Sequence, residues 1–265
     1  MARIKFLWLV AIHVFTFSSV FAQQSDSAYV KENYTKIERS ITMRDGVKLF
    51  TSIYIPKDKT KKYPFLINRT PYTVAPYGAD KYKTSLGNFP AMMREGFIFV
   101  YQDVRGKWMS EGTFDDIRPQ VANKKTKKDI DESTDTYDTI DWLVKNIENN
   151  NGKAGIYGIS YPGFYSTTSL PGAHPALKAV SPQAPVTDWF RGDDFHHNGS
   201  LFLMDAFSFM STFGVPRPQP ITPDKGPKGF EFPIQDNYRF YLESGSVKNL
   251  KDKYFAHSIK FWNDL

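Results

Sequence analysis

Through ITMRDGVKLFTSIYIP (41–56), apolar and polar positions alternate with a period of two on either side of Asp45-Gly46, which predicts a β-hairpin turning at that step. The apolar stretch in YPFLINRTPY (63–72) predicts a short strand ending in a polar loop. FPAMMREGFIFVYQDVRG (89–106) predicts a helix stopped at Gly96, then a buried strand from Phe97 to Gln102. Residues 107–133 carry no periodicity and predict a loop. In DTYDTIDWLVKNIENNNG (135–152), Tyr137, Ile140, Trp142, Leu143 and Ile147 recur at helical spacing, and the helix is expected to end at Gly152. A strand over Ala154 to Ile159, Ser160, a helical stretch to Leu170 and a strand over 177–185 follow. Residues 191–213 turn aromatic and predict helix, and residues 214–233 are rich in Pro and Gly. Strands alternate with helices and the central ones are apolar throughout, so the expected class is α/β, a doubly wound sheet covered on both faces.

Composition refines this picture. A chain of 265 residues with 41% hydrophobic content can bury one large core. The first 22 residues stand apart: Arg3 and Lys5, an apolar run from Phe6 to Val20, and the small-x-small step Val20-Phe21-Ala22 have the form of a secretory signal peptide. A membrane anchor needs about 20 apolar residues, whereas this run is interrupted by His13, Thr16, Ser18 and Ser19. The expected location is therefore secreted or periplasmic, with cleavage after Ala22 and no membrane attachment afterwards. Cysteine is absent, which excludes disulfides, cysteine nucleophiles and thiolate metal sites. The net charge is +6, and removal of the leader, with its two basic and no acidic residues, leaves +4. Lys124, Lys125, Lys127 and Lys128 are followed at once by Asp129, Asp131 and Glu132, the pattern of a solvated loop rather than a nucleic-acid surface.

The chemistry centres on GKAGIYGISYPGF (152–164). An apolar strand running into Gly-x-Ser and directly into a helix is the context of a nucleophile elbow. Such a turn would lift the Ser160 hydroxyl above the sheet and aim the Tyr161 N–H at a developing oxyanion. Gly158 and Gly163 would give strand and helix room to approach, and Pro162 is tolerated in a first helical turn. The alternative is an ordinary turn serine. Asp103 and Arg105 are expected to hold a loop by bidentate hydrogen bonds. His196 and His197 have no third ligand at metal-binding spacing and are expected at a rim or in packing, and His174 before Pro175 in a turn.

The blocks NRTPYT (68–73), YQDVRGKWMSEGTF (101–114), DTYDTIDWLVKN (135–146), GKAGIYGISYPGF (152–164) and HPALKAVSPQAPVTDWFRGDDFHHNG (174–199) occur in the order found in a known group. The chain resembles the CocE/NonD-type serine hydrolases, grouped with cocaine esterase and X-prolyl dipeptidyl peptidases, and most of all their α-amino-acid ester hydrolase branch. The resemblance implies an α/β-hydrolase fold, with a hydrolase portion over 23–190 and the start of a helical cap over 191–265. It implies Ser160 as nucleophile, the Tyr161 N–H and the Tyr72 hydroxyl as oxyanion donors, and Asp194, beside Asp193, as one member of a carboxylate cluster binding a substrate ammonium. The alternative for Asp194 is an acid at a helix N-terminus. The implied substrates are small esters, amides or short peptides, and serine acyl transfer implies neither metal nor cofactor. In the resembled group the partner Asp and His come later than residue 265, so this chain is expected to be the front portion of a longer enzyme and inactive by itself. The competing reading is a non-catalytic exported binding module on the same scaffold.

Overall fold

A computed structural model describes residues 25–191, 194–217, 219–226, 228–255, 259 and 262–263. The leader, Asp193 and His257 lie outside the described residues. The chain opens with helix α1 (Asp26–Asn33), capped by the Ser25 side chain, and continues into strands β1 (Tyr34–Thr42) and β2 (Lys48–Pro56), the expected hairpin. Then come β3 (Tyr63–Thr70), α2 (Pro90–Glu95), β4 (Ile98–Asp103), α3 (Glu132–Asn146), β5 (Asn150–Ile159), α4 (Tyr161–Thr168) and β6 (Leu177–Gln183). The sheet order is β1-β2-β4-β3-β5-β6, antiparallel across the first three and parallel across the rest.

The period of two in β4 shows how both faces are covered. Ile98 and Val100 pack with Ile67, Ile140 and Leu143 on the α3 side, while Phe99 and Tyr101 pack with Tyr34, Tyr54 and Met93 on the other. All six residues of β4 are buried, as a central strand covered on both faces requires. A third cluster joins α4 to the later part of the chain through Tyr161, Phe164, Trp189, Phe207, Phe240 and Phe255.

Local chemistry sets several boundaries. α3 starts at Glu132, three residues before the stretch expected to be helical (135–152), because Asp131 and Thr134 form a reciprocal capping box. It stops at Asn146, short of Gly152: Asn149 takes the left-handed conformation (φ 59°) and the Asn150 amide donates to the carbonyls of Val144 and Ile147. Gly96 does end α2, at φ 86°, where a Cβ would fall 2.7 Å from the Tyr63 ring.

Residues 191–213 are not one helix. A hairpin of β7 (His196–His197) and β8 (Ser200–Leu201) precedes α5 (Leu203–Phe213). Its turn is Asn198-Gly199, both at positive φ, the pairing that two-residue hairpins prefer. That signal was present in HHNGSL and was masked by the surrounding apolar composition. Helices α6 (Asn237–Ser244) and α7 (Val247–Leu250) follow. No helix among the described residues is long and apolar enough to cross a membrane.

Candidate active site

β5 carries the chain to Ser160 at the carboxyl end of the parallel strands, the side where ligands bind open α/β sheets. Ser160 has φ 62° and ψ −122°, a conformation that costs an L-residue about 1–3 kcal/mol. The bend is clamped on both sides: the Ser160 N–H donates to the Gln183 carbonyl at 2.9 Å, and its own carbonyl accepts from Phe164 N at 3.1 Å and Val186 N at 3.4 Å. Two glycines make the clamp possible. A Cβ on Gly158 would lie 2.1 Å from the Pro162 carbonyl oxygen, and one on Gly163 would lie 2.8 Å from that of Gln183.

A serine just before a helix normally caps it. Ser160 makes no side-chain cap to α4. It instead lines a cavity with Tyr72, which follows β3 by two residues, and acts on that phenol. Burial raises the Tyr72 phenol above its usual range, opposed by the Ser160 contact and reinforced by the charges of Asp194 and Asp116. With its pKa raised, the phenol stays a neutral O–H donor. Ser160, Tyr72 and Asp194 line one cavity of about 480 Å³, together with Trp189, Asp205 and Phe209. Three of the four residues singled out from the sequence thus share a cavity. The fourth, Tyr161, is fully buried directly beneath, at the first position of α4. Asp194 is exposed and precedes β7, not a helix; the acid in the first turn of α5 is Asp205.

The family model for X-Pro dipeptidyl-peptidase (S15 family) matches residues 45–233, which include every part of this site. The chain belongs to the S15 family. Cocaine esterase from Rhodococcus sp. (strain MB1 Bresler) is 29% identical over 175 residues, 66% of this chain and 28% of that protein. An α-amino acid ester hydrolase superposes with a TM-score of 0.75 at 31% identity, and an aminopeptidase from a marine sediment Thaumarchaeota archaeon with 0.74 at 34%. Each covers 94% of this chain, which in turn spans 40% of each of those structures. At that identity and overlap the mixed sheet with its helices is an α/β-hydrolase fold, as the strand pattern and the resemblance implied.

Sequence reasoning missed a residue that organises the site of this S15 chain. Asp116 accepts a hydrogen bond from the Tyr161 hydroxyl at 2.5 Å and from Trp189 Nε1 at 2.6 Å. It thereby ties the residue beneath the serine to a wall of the cavity, and Tyr161 in turn accepts from Ile117 N. The partners are 45 and 73 residues away along the chain, so no local pattern announces them.

Asp103 and Arg105 do hold loops, though each with other partners. Asp103 accepts from Val74 N, Met109 N and the Tyr77 hydroxyl; burial lifts its carboxyl to about 7 against those three bonds. Arg105 is bidentate to Asp135 and to Asp45. His174 Nδ1 accepts from Ala176 N in its turn, and His196 Nδ1 lies 3.2 Å from the Trp189 carbonyl. No histidine is among the described residues lining the Ser160 cavity, and no group of three or more His, Cys, Asp or Glu among the described residues could hold a metal.

Proposed function

We propose that the protein is an exported serine hydrolase of acyl esters or amides, working through an acyl-enzyme on Ser160. The observation that carries this reading is the strained serine that leaves its own helix uncapped and lines a cavity with a tyrosine phenol. A structural serine has no use for that strain, which is why a purely non-catalytic module is the weaker account. In the reaction, Ser160 Oγ bonds to the substrate carbonyl carbon as its proton passes to a histidine base supplied from outside the described residues. Negative charge then develops on the carbonyl oxygen, where the Tyr161 N–H and the Tyr72 O–H would receive it. Collapse breaks the bond to the leaving group, which takes the proton from the base, and water repeats the sequence to free the acid. Asp194, with Asp205 nearby in the cavity, favours an acyl group bearing an ammonium, in keeping with the names of the α-amino acid ester hydrolase and aminopeptidase relatives. Export rests on the leader-like first 22 residues.

Fluorophosphonate labelling of the full-length protein tests the nucleophile. Labelling should vanish in Ser160→Ala, and a mutant that still labels would move the nucleophile elsewhere. Because the resemblance implies a histidine base later than residue 265, the isolated 265-residue chain should turn over a phenylglycine ester only at trace level, a loss of about a millionfold against the full protein.

A further inference from the structure

A second cavity, of about 380 Å³, lies against the first and shares Tyr72, Ser208 and Phe209 with it. Its walls are apolar: Pro71, Trp108, Phe213 and Val215. Two cations also line it, Lys107 and Arg217. The Lys107 ammonium donates to the Phe213 carbonyl at 2.7 Å and lies about 4 Å from the centres of the Phe114 and Phe213 rings. Arg217 donates to the carbonyls of Gly106 and Ser110, and its buried Nη1 has no hydrogen-bond partner among the described residues. Among the described residues, the charge of Asp116 acts on Lys107 and that of Asp103 on Arg217.

A guanidinium with an unpartnered buried N–H, beside an ammonium bonded to one carbonyl and set against two rings, is costly in an apolar wall unless a ligand brings the opposite charge. We propose that this cavity is a substrate subsite for an apolar group ending in a carboxylate, with Arg217 and Lys107 as its counter-charges. Arg217 has an unused N–H for a carboxylate oxygen, and the ammonium has donors beyond the one given to Phe213. The aromatic walls take the apolar body. The subsite rests on the reading of Ser160 as nucleophile. On that reading an ammonium-bearing acyl group lies toward Asp194 and Asp205, so the carboxylate belongs to the leaving group. The substrate class is then an ester or amide that is zwitterionic across its scissile bond.

Direct binding separates this inference from the hydrolase reading. Calorimetric titration of the full-length protein with 3-phenylpropionate and with 3-phenylpropionamide should show the carboxylate binding at least about tenfold more tightly. That preference should fall to within about threefold in Arg217→Gln and in Lys107→Met, each checked for folding by its melting transition. The carboxylate should also slow fluorophosphonate labelling of Ser160, because the cavities adjoin. Equal affinity for the two compounds, or no binding by a folded parent protein (as when another segment of the chain fills the cavity), would overturn the subsite. Tight carboxylate binding that leaves Ser160 labelling unaffected would also overturn it, by detaching the cavity from the reaction. Should the carboxylate bind selectively while Ser160 takes no label at all, the anion site stands and the hydrolase reading fails.

Discussion

Single residues at this site are informative for what they leave undone. Ser160 occupies the position at which a hydroxyl would satisfy the first turn of α4, yet it makes no cap and lines a cavity with Tyr72. The value of that phenol can be measured. Tyr72→Phe keeps the ring packed edge-on to Tyr161 and against Phe213 while removing the donor. If the phenol stabilises an oxyanion, kcat of the full-length enzyme should fall by about a hundredfold to a thousandfold with KM nearly constant. A fall of less than about threefold would remove Tyr72 from the oxyanion hole. Ser160 was legible in the sequence because strand, glycine, serine and helix are consecutive. Tyr72 came only through the family-like block NRTPYT, and Asp116 not at all, since its hydrogen bonds join residues far apart in the chain.

Elements meet most closely where β5 passes into α4. Gly158→Ala should be strongly destabilising, because the added carbon would sit 2.1 Å from the Pro162 carbonyl oxygen and backbone on both sides would have to move. A loss of about 3 kcal/mol or more is expected, read as a lowered melting temperature or as insoluble protein. Gly229→Ala, whose added carbon meets nothing within 4 Å, serves as control and should melt with the parent. The reading of elements succeeded for the β1–β2 hairpin, β4, the Gly96 stop and the β5–Ser160–α4 turn, where periodicity and punctuation agree. It failed at 191–213, where an aromatic composition suggested helix and the Asn198-Gly199 turn decided otherwise.

For the whole molecule, burial of charge around the site makes stability depend on pH. Burial lowers the Lys107 pKa from 10.5 to about 7, with Asp116 opposing and Arg217 assisting. Between those two values, and without a bound carboxylate to restore the charge, the unfolded chain holds a proton that the folded one lacks, so stability should rise as pH increases from about 7 to 10.5 and be lost as pH falls through about 7. Subtracting the Lys107→Met profile isolates this contribution. A parent and variant whose melting temperatures run parallel across that window would exclude it. The sheet below the site rests on an equally buried network, in which Arg69 reaches Gln102, Thr136 and Glu132 while Arg105 joins Asp135 to Asp45. Such pairings exist only once distant segments have met. The sequence by itself determined the α/β class, the order of the main elements and the serine's turn, since these follow from periodicity and steric demands between neighbours in the chain. Tertiary structure alone decided which side chains surround that serine, the role of Asp116 and the cations beside Tyr72, because contacts, burial and charge separation depend on residues brought together across tens of positions.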